Sequence, residues 1–212
     1  MISNLTLRHR GIIDPQEMSM SIAIIGAGSI GSNLALLLAR LGMEDITVYD
    51  FDEVEDHNLG HQAFRISDIG EKKVDALQGL ILDATGVEIK TMDLEVNGTG
   101  IEADILIMAT DSMESRRIIT GNANYTFCID GRMGGEAILV YAFSKPSLDR
   151  YRETLYTDDE ASDAPCGGKS IGYVSYIISA LMEITIKKII MGEEFPFEQE
   201  FCAKNLIYNT KQ

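Results

Sequence analysis

Short apolar runs alternate along the chain with stretches of helical periodicity. Ser21–Gly26 (SIAIIG) is almost wholly apolar and ends in glycine, the pattern of a strand buried on both faces. Ile30, Leu34, Leu37, Leu38 and Leu41 then recur at helical spacing, and Gly42 supplies a stop. Ile46–Asp50 (ITVYD) predicts a second strand, Glu71–Leu82 a helix and Val87–Met92 a strand. Asp104–Ala109 (DILIMA) predicts another buried strand, followed by a helix over Ser112–Ala123. Tyr125–Ile129 and Ala137–Ala142 predict strands around a glycine-rich turn, Gly131 to Gly135. A last helix, Ser170–Met191, is apolar on most faces, which suits a core or an interface. Phe201–Tyr208 gives a weak strand signal.

Strands alternating with helices predict an α/β fold, a Rossmann-like doubly wound and mostly parallel sheet. The expected organisation is an N-terminal arm over 1–20 and one domain over 21–212. The periodicity stops between Ser147 and Lys169, in a polar, acidic segment read as a mobile crossover loop.

Composition narrows the partners. Over 212 residues, 33 acidic against 18 basic side chains give a formal charge of −15. That balance argues against a nucleic-acid surface or an anionic membrane, both of which need clustered cations. Glu183, Lys187 and Lys188 interrupt the most apolar stretch, so no membrane span is expected. Three scattered cysteines (Cys128, Cys166, Cys202), none at C-x-x-C spacing, argue against structural zinc and suit a reducing, cytoplasmic setting. Cys128 and Cys202 read as buried and inert.

Candidate chemistry begins at Gly26-Ala27-Gly28-Ser29-Ile30-Gly31, a G-x-G-x-x-G between a strand and a helix. Gly26 permits the turn, Gly28 lets phosphate approach the backbone, and Gly31 lets helix and strand pack closely. The helix N-terminus offers free N–H groups to an anion. Asp50, at the tip of the second strand, stands where a carboxylate can accept from ribose hydroxyls. These features indicate a nucleotide without saying which.

The next segment is unusual for a dehydrogenase. The chain runs Asp50-Phe51-Asp52-Glu53-Val54, then Asn58-Leu59-Gly60-His61-Gln62, then Ile69-Gly70-Glu71-Lys72-Lys73, and later Thr110-Asp111-Ser112 with Arg116 five residues beyond the Asp. In this order the motifs resemble the ThiF/MoeB/HesA family, whose fold is shared with the adenylation domains of ubiquitin-activating enzymes. The resemblance spans about Arg8 to Gly192. It implies binding of ATP and Mg²⁺ and adenylation of a C-terminal carboxylate on a ubiquitin-like or sulfur-carrier protein or peptide. It further implies Lys73 on the phosphates, Asp111 on Mg²⁺ or the phosphates, and Asn58 and Gln62 as donors to phosphate and substrate. Asp111 could equally cap the helix after it, and the two amides could equally cap loops.

Two departures bear on activity. Where the family pattern has arginine, this chain has His61, an imidazole mostly neutral near pH 7. Arg65, Arg8 or Arg10 are the candidate substitutes; the family often delivers an arginine from an N-terminal segment into a partner subunit's site, and Leu7-Arg8-His9-Arg10 is close to that pattern but out of register. The paired zinc-binding C-x-x-C motifs of many members are absent. Cys166, in Pro165-Cys166-Gly167-Gly168-Lys169, stands where several members carry an acceptor thiol; a helix N-terminus and Lys169 would lower its pKa. The sequence thus predicts an ATP-dependent adenylyltransferase, a homodimer by virtue of its apolar last helix. The alternatives are an NAD-dependent oxidoreductase and a non-catalytic adaptor or heterodimer subunit of the same fold.

Overall fold

The structure, a computed structural model, describes residues 5–13, 18–156 and 171–212. Eight strands form one sheet in the order β3-β2-β1-β4-β5-β6-β7-β8. They are β1 Ile22–Ile25, β2 Ile46–Asp50, β3 Lys90–Asp93, β4 Glu102–Met108, β5 Asn124–Gly134, β6 Ala137–Ser144, β7 Glu198–Cys202 and β8 Ile207–Lys211. The helices are α1 Gly31–Leu41, α2 Lys73–Thr85, α3 Met113–Asn122, α4 Leu148–Arg152 and α5 Gly172–Ile190.

The strand period of two sorts the core into two layers. On one face Ile22 and Ile24 of β1, Ile105 and Ile107 of β4, and Ile138 and Val140 of β6 pack with α1, α2 and α5. On the other, Ala23 and Ile25, Leu106 and Met108, and Tyr141 and Phe143 pack with Ile119 of α3 and Tyr151 of α4. The sheet is therefore covered on both sides, as its continuous apolar strands require.

The α/β class holds, and the sheet divides in two. Strands β1 to β5 pair in parallel. From β5 onward the pairs are antiparallel. The expected glycine-rich turn is shorter than the run Gly131–Gly135 suggested: β5 continues to Gly134, which pairs with Ala137, leaving a two-residue turn at Gly135 and Glu136. Gly135 has φ 58°, the left-handed conformation such hairpins need. Gly131 stays within the strand because α5 crosses over it; a Cβ there would lie 2.7 Å from Met182 Sδ. The weak strand at Phe201–Tyr208 is two strands, with a turn through Leu206 at φ 54°. The segment after Ser147 opens with α4, whose Tyr151 is fully buried.

The order β2-β1-β4 places the topological switch between β1 and β4, where open α/β sheets hold ligands beyond the strand ends. Among the described residues no helix is long and apolar enough to cross a membrane.

Candidate nucleotide site

The glycine loop leaves β1 at the switch. Gly26 has φ 99°, and a Cβ on it would meet the Ala109 carbonyl at 2.6 Å, so the loop lies directly against the end of β4. A Cβ on Gly31 would meet the Gly26 carbonyl at 1.8 Å, so the helix can start here only with glycine. At Gly28 a Cβ would meet nothing within 4 Å. That position faces open space, so the fold itself would accommodate a side chain there. The N-terminal turn of α1 tightens the loop. Ser32 Oγ donates to the Gly28 carbonyl at 2.7 Å, and Asn33 Nδ2 donates to the carbonyls of Ser29 and His61 at 2.8 and 3.0 Å.

Asp50 ends β2 beside the loop. Its Oδ2 accepts from the Ala27 N–H at 2.6 Å and its Oδ1 from the Asp52 N–H at 2.8 Å. Both oxygens keep a second lone pair, so the carboxylate can hold the loop and still accept from a ribose. Beyond it a groove of about 390 Å³ is lined by Leu94, Val96, Asn97, Ser115, Ile118 and Ile119. It starts at the end of β3, whose Asp93 pairs in register with Asp50, and runs along α3.

Lys73 opens α2, next to the positive end of that helix's dipole, and only 9% of its side chain is exposed. A buried cation there is unfavourable by itself. Among the described residues its salt-bridge partner is Asp52, 2.7 Å from Nζ, and the backbones of the two residues are also bonded, Lys73 N–H to the Asp52 carbonyl. Lys72 instead spreads over Glu53, Asp93 and the Phe51 carbonyl at the surface. The two neighbouring lysines are thereby distinguished.

Asn58 is buried and its Oδ1 accepts from the Glu55 N–H at 2.9 Å, bracing the turn Asp56–Gly60. Gln62 is 9% exposed and its Oε1 has no hydrogen-bond partner among the described residues; Thr110 Oγ1 is likewise buried and unpartnered. Orphaned polar atoms of this kind cost free energy unless a ligand or water satisfies them. His61 turns onto the glycine loop, its Nδ1 2.6 Å from Ser29 Oγ. Burial, then the nearby His57, then Lys73 hold its pKa below the ordinary imidazole value.

Asp111 comes after β4 and is exposed. The cap of α3 is supplied by Ser112 instead, whose side chain accepts from the Ser115 N–H at 3.2 Å. Asp111 is therefore free of that duty. It follows Thr110, whose backbone N lies 3.5 Å from where a Cβ on Gly26 would be, so this exposed carboxylate could serve a Mg²⁺, which takes one or two carboxylates together with phosphate oxygens. Among the described residues no group of three or more His, Cys, Asp or Glu side chains is arranged to hold a metal ion by itself.

Some expected participants stand elsewhere. The guanidinium of Arg65 bonds Asp68 and Asp83, so it does not replace the arginine missing at His61. The N-terminal turn Leu7–His9 packs at the far end of α1, with His9 Nδ1 3.3 Å from the Leu41 carbonyl and Thr6 against Gly42. Arg8 and Arg10 are exposed there, away from the glycine loop of their own chain. Cys166 lies outside the described residues. Cys128 is fully buried, and burial pushes its thiol pKa well up, with Asp130 adding and Lys145 opposing. Cys202 is half-buried on β7 rather than fully enclosed.

Behind Asp111 lies a cluster of which motif reading names only Arg116. Asp130 is wholly buried and accepts from Arg116 Nε at 2.7 Å, Arg132 Nε at 2.6 Å and Tyr151 Oη at 3.0 Å. Arg116 also donates to the Thr110 carbonyl at 2.5 Å, and Arg132 to the Thr154 carbonyl and hydroxyl. The cluster thus fixes the backbone next to Asp111 at one end and the end of α4 at the other.

A glycine loop at the switch point, a carboxylate at the end of β2 and a buried lysine at a helix start thus stand at one end of the α/β sheet. The chain belongs to the ThiF family, whose family model matches residues 16–212. It is 31% identical over 139 residues to the NEDD8-activating enzyme E1 catalytic subunit of Arabidopsis thaliana, covering 58% of this chain and 31% of that protein. It is 26% identical over 188 residues to adenylyltransferase and sulfurtransferase MOCS3 of Culex quinquefasciatus, covering 82% and 42%. The chain thus spans about a third to two fifths of these relatives. Escherichia coli MccB, solved with ATP, shares the fold with a TM-score of 0.74 at 16% identity, over 93% of this chain and 65% of that one.

Proposed function

We propose that the chain is an ATP-dependent adenylyltransferase acting on the C-terminal carboxylate of a ubiquitin-like or sulfur-carrier protein, or of a peptide. The observation that carries this reading is Lys73: a buried lysine at a helix start, paired with Asp52 and placed near a glycine loop with open space at Gly28. An oxidoreductase holding NAD accounts for the loop and Asp50 but not for Asp52, Asn58, Gln62, Lys73 and Asp111 together. MccB, solved with ATP and separately with AMPCPP and MccA, is a neighbour in fold, and MOCS3 is by its name an adenylyltransferase.

The chemistry is attack of a carboxylate oxygen on the α-phosphorus, with pyrophosphate leaving. Both reactants are anionic, so catalysis consists of placing positive charge and donors where negative charge builds up. Asp50 would orient the ribose, the groove along α3 would take the base, and Ala27, Gly28, Ser29 and Ile30 would present backbone N–H groups. Lys73, released in part from Asp52, would meet phosphate oxygens. Gln62 and Thr110 would find partners for their orphaned oxygens through substrate hydroxyls or bridging water. Asp111 would hold Mg²⁺, which when bound neutralises phosphate charge. Cys166 is the proposed acceptor of the activated acyl group. The protein is further proposed to be a cytoplasmic homodimer.

Calorimetry with ATP and NAD tests the reading: ATP binding without NAD binding is expected, and the reverse overturns it. With a carrier in hand, Cys166→Ser should leave ATP–pyrophosphate exchange intact while removing any thioester, because adenylation needs no thiolate. Asp111→Ala should stop exchange itself.

A further inference from the structure

His61 makes one contact that phosphate binding by the loop and Lys73 does not need. Its Nδ1 is 2.6 Å from the hydroxyl of Ser29, the residue next to the open position at Gly28. The ring is held there from its backbone as well, since Asn33 Nδ2 bonds the carbonyls of both Ser29 and His61. Among the described residues Nε2 has no hydrogen-bond partner. We propose that Ser29 and His61 form a proton-linked phosphate clip, in which an anion bound at the glycine loop draws one proton onto the imidazole.

Either tautomer gives the same result. In the neutral ring one nitrogen carries the proton. If Ser29 donates to Nδ1, then Nε2–H is already a donor, and protonating Nδ1 turns the bond round. Ser29 Oγ then accepts, and its own O–H is released toward the loop. If Nδ1–H donates to Ser29, then Nε2 presents a lone pair that repels phosphate, and protonation makes it a donor. In both cases one proton from solvent adds one donor and one positive charge beside the anion site.

The charges around the ring favour the neutral form until an anion arrives. From the turn Asp56–Gly60 comes His57, itself beside Glu55 and Asp56 at 3.5 and 3.9 Å; from α2 comes Lys73, bonded to Asp52. Burial, then His57, then Lys73 lower the pKa of His61 and so favour the neutral ring. A phosphate beside the ring opposes those influences and raises its proton affinity. Where the bound and free proton affinities differ, binding consumes a proton, and affinity falls as pH rises between the two values. The α5 helix adds no charge at its point of contact, where Gly172 meets the Gly60 carbonyl.

The clip rests on the nucleotide reading, and one experiment separates the two. ATP binding is measured by calorimetry from pH 5.5 to 8, in pairs of buffers of different ionisation enthalpy, for the wild-type chain, His61→Arg and His61→Gln. The wild type should take up a proton on binding and weaken by up to about tenfold per pH unit across the window. His61→Arg should bind with no uptake beyond the nucleotide's own phosphate titration, which is common to all three proteins. His61→Gln should bind more weakly at low pH and converge on wild type at high pH. Equal uptake by wild type and His61→Arg overturns the clip while leaving the nucleotide site standing. Absence of ATP binding by all three folded proteins overturns the nucleotide reading and the clip with it.

Discussion

Gly26 and Gly28 sit two residues apart and should answer an alanine differently. At Gly26 the new methyl would meet the Ala109 carbonyl at 2.6 Å with φ already at 99°. Neither backbone can yield, so Gly26→Ala should cost on the order of 2–4 kcal/mol in chemical denaturation. At Gly28 the methyl meets only open space. Gly28→Ala should therefore unfold within about 0.5 kcal/mol of wild type, yet lose ATP binding, because the methyl occupies the place of a phosphate. Loss of stability at Gly28 with retained binding would contradict that role. Lys73→Ala should weaken ATP binding by about 1.5–3 kcal/mol, the worth of a charge-assisted contact, read as a Kd raised roughly tenfold or more. Stability should change less, because Asp52 keeps half its side chain in water when its partner is gone.

At the scale of elements, legibility follows how local the cause is. The strand–glycine–helix unit and β4 are readable because their glycines and apolar runs answer to neighbours a few residues away. The β7–β8 hairpin is not, since β8 is exposed throughout and carries no apolar alternation to mark it. Nor, beyond Arg116, is the cluster around Asp130, which joins Arg132 two residues away on β5 to Arg116 of α3 and Tyr151 of α4, 14 and 21 residues away. Ser32 and Asn33 leave one faint signal, polar residues in the first turn of an otherwise apolar helix. The Asp130 cluster also has a pH signature. Burial alone would raise its carboxyl pKa, but Arg116 and Arg132 overcome that and hold it below the ordinary value. Its contribution to stability is therefore complete above the ordinary carboxylate pKa of about 4 and is lost as pH falls through the lower folded value. Asp130→Asn should destabilise by about 3–5 kcal/mol at neutral pH, since it leaves two buried arginines without their counter-charge. The gap between variant and wild type should close below about pH 4, which urea midpoints across pH would show.

For the whole molecule, the surfaces left open and the position of the N-terminal turn bear on assembly. Helix α5 exposes Tyr176 by 59% and Ile184 by 52%, with Tyr173 and Ile171 nearby, more apolar area than a solvated helix usually presents. Arg10 stands at the Leu41 end of α1, and eleven helical residues separate that end from the glycine loop, roughly 16 Å. An arginine so placed cannot serve its own site, but it can serve a second copy's in a two-fold dimer, where each chain gives what it receives. Mixing two variants, at an ATP concentration low enough that each alone shows little exchange, tests this. Lys73→Ala lacks its own phosphate contact, and Arg10→Ala lacks the residue it would lend. In a mixed dimer one site receives both defects and the other receives neither. With random pairing half the dimers are mixed, so exchange activity should return to about a quarter of wild type, and sedimentation of each variant should show dimers. If the mixture stays as inactive as its parents although both dimerise, Arg10 does not act across the interface. If Arg10→Ala alone is fully active, the charge missing at His61 is supplied within the chain, by Lys73 and the protonated imidazole.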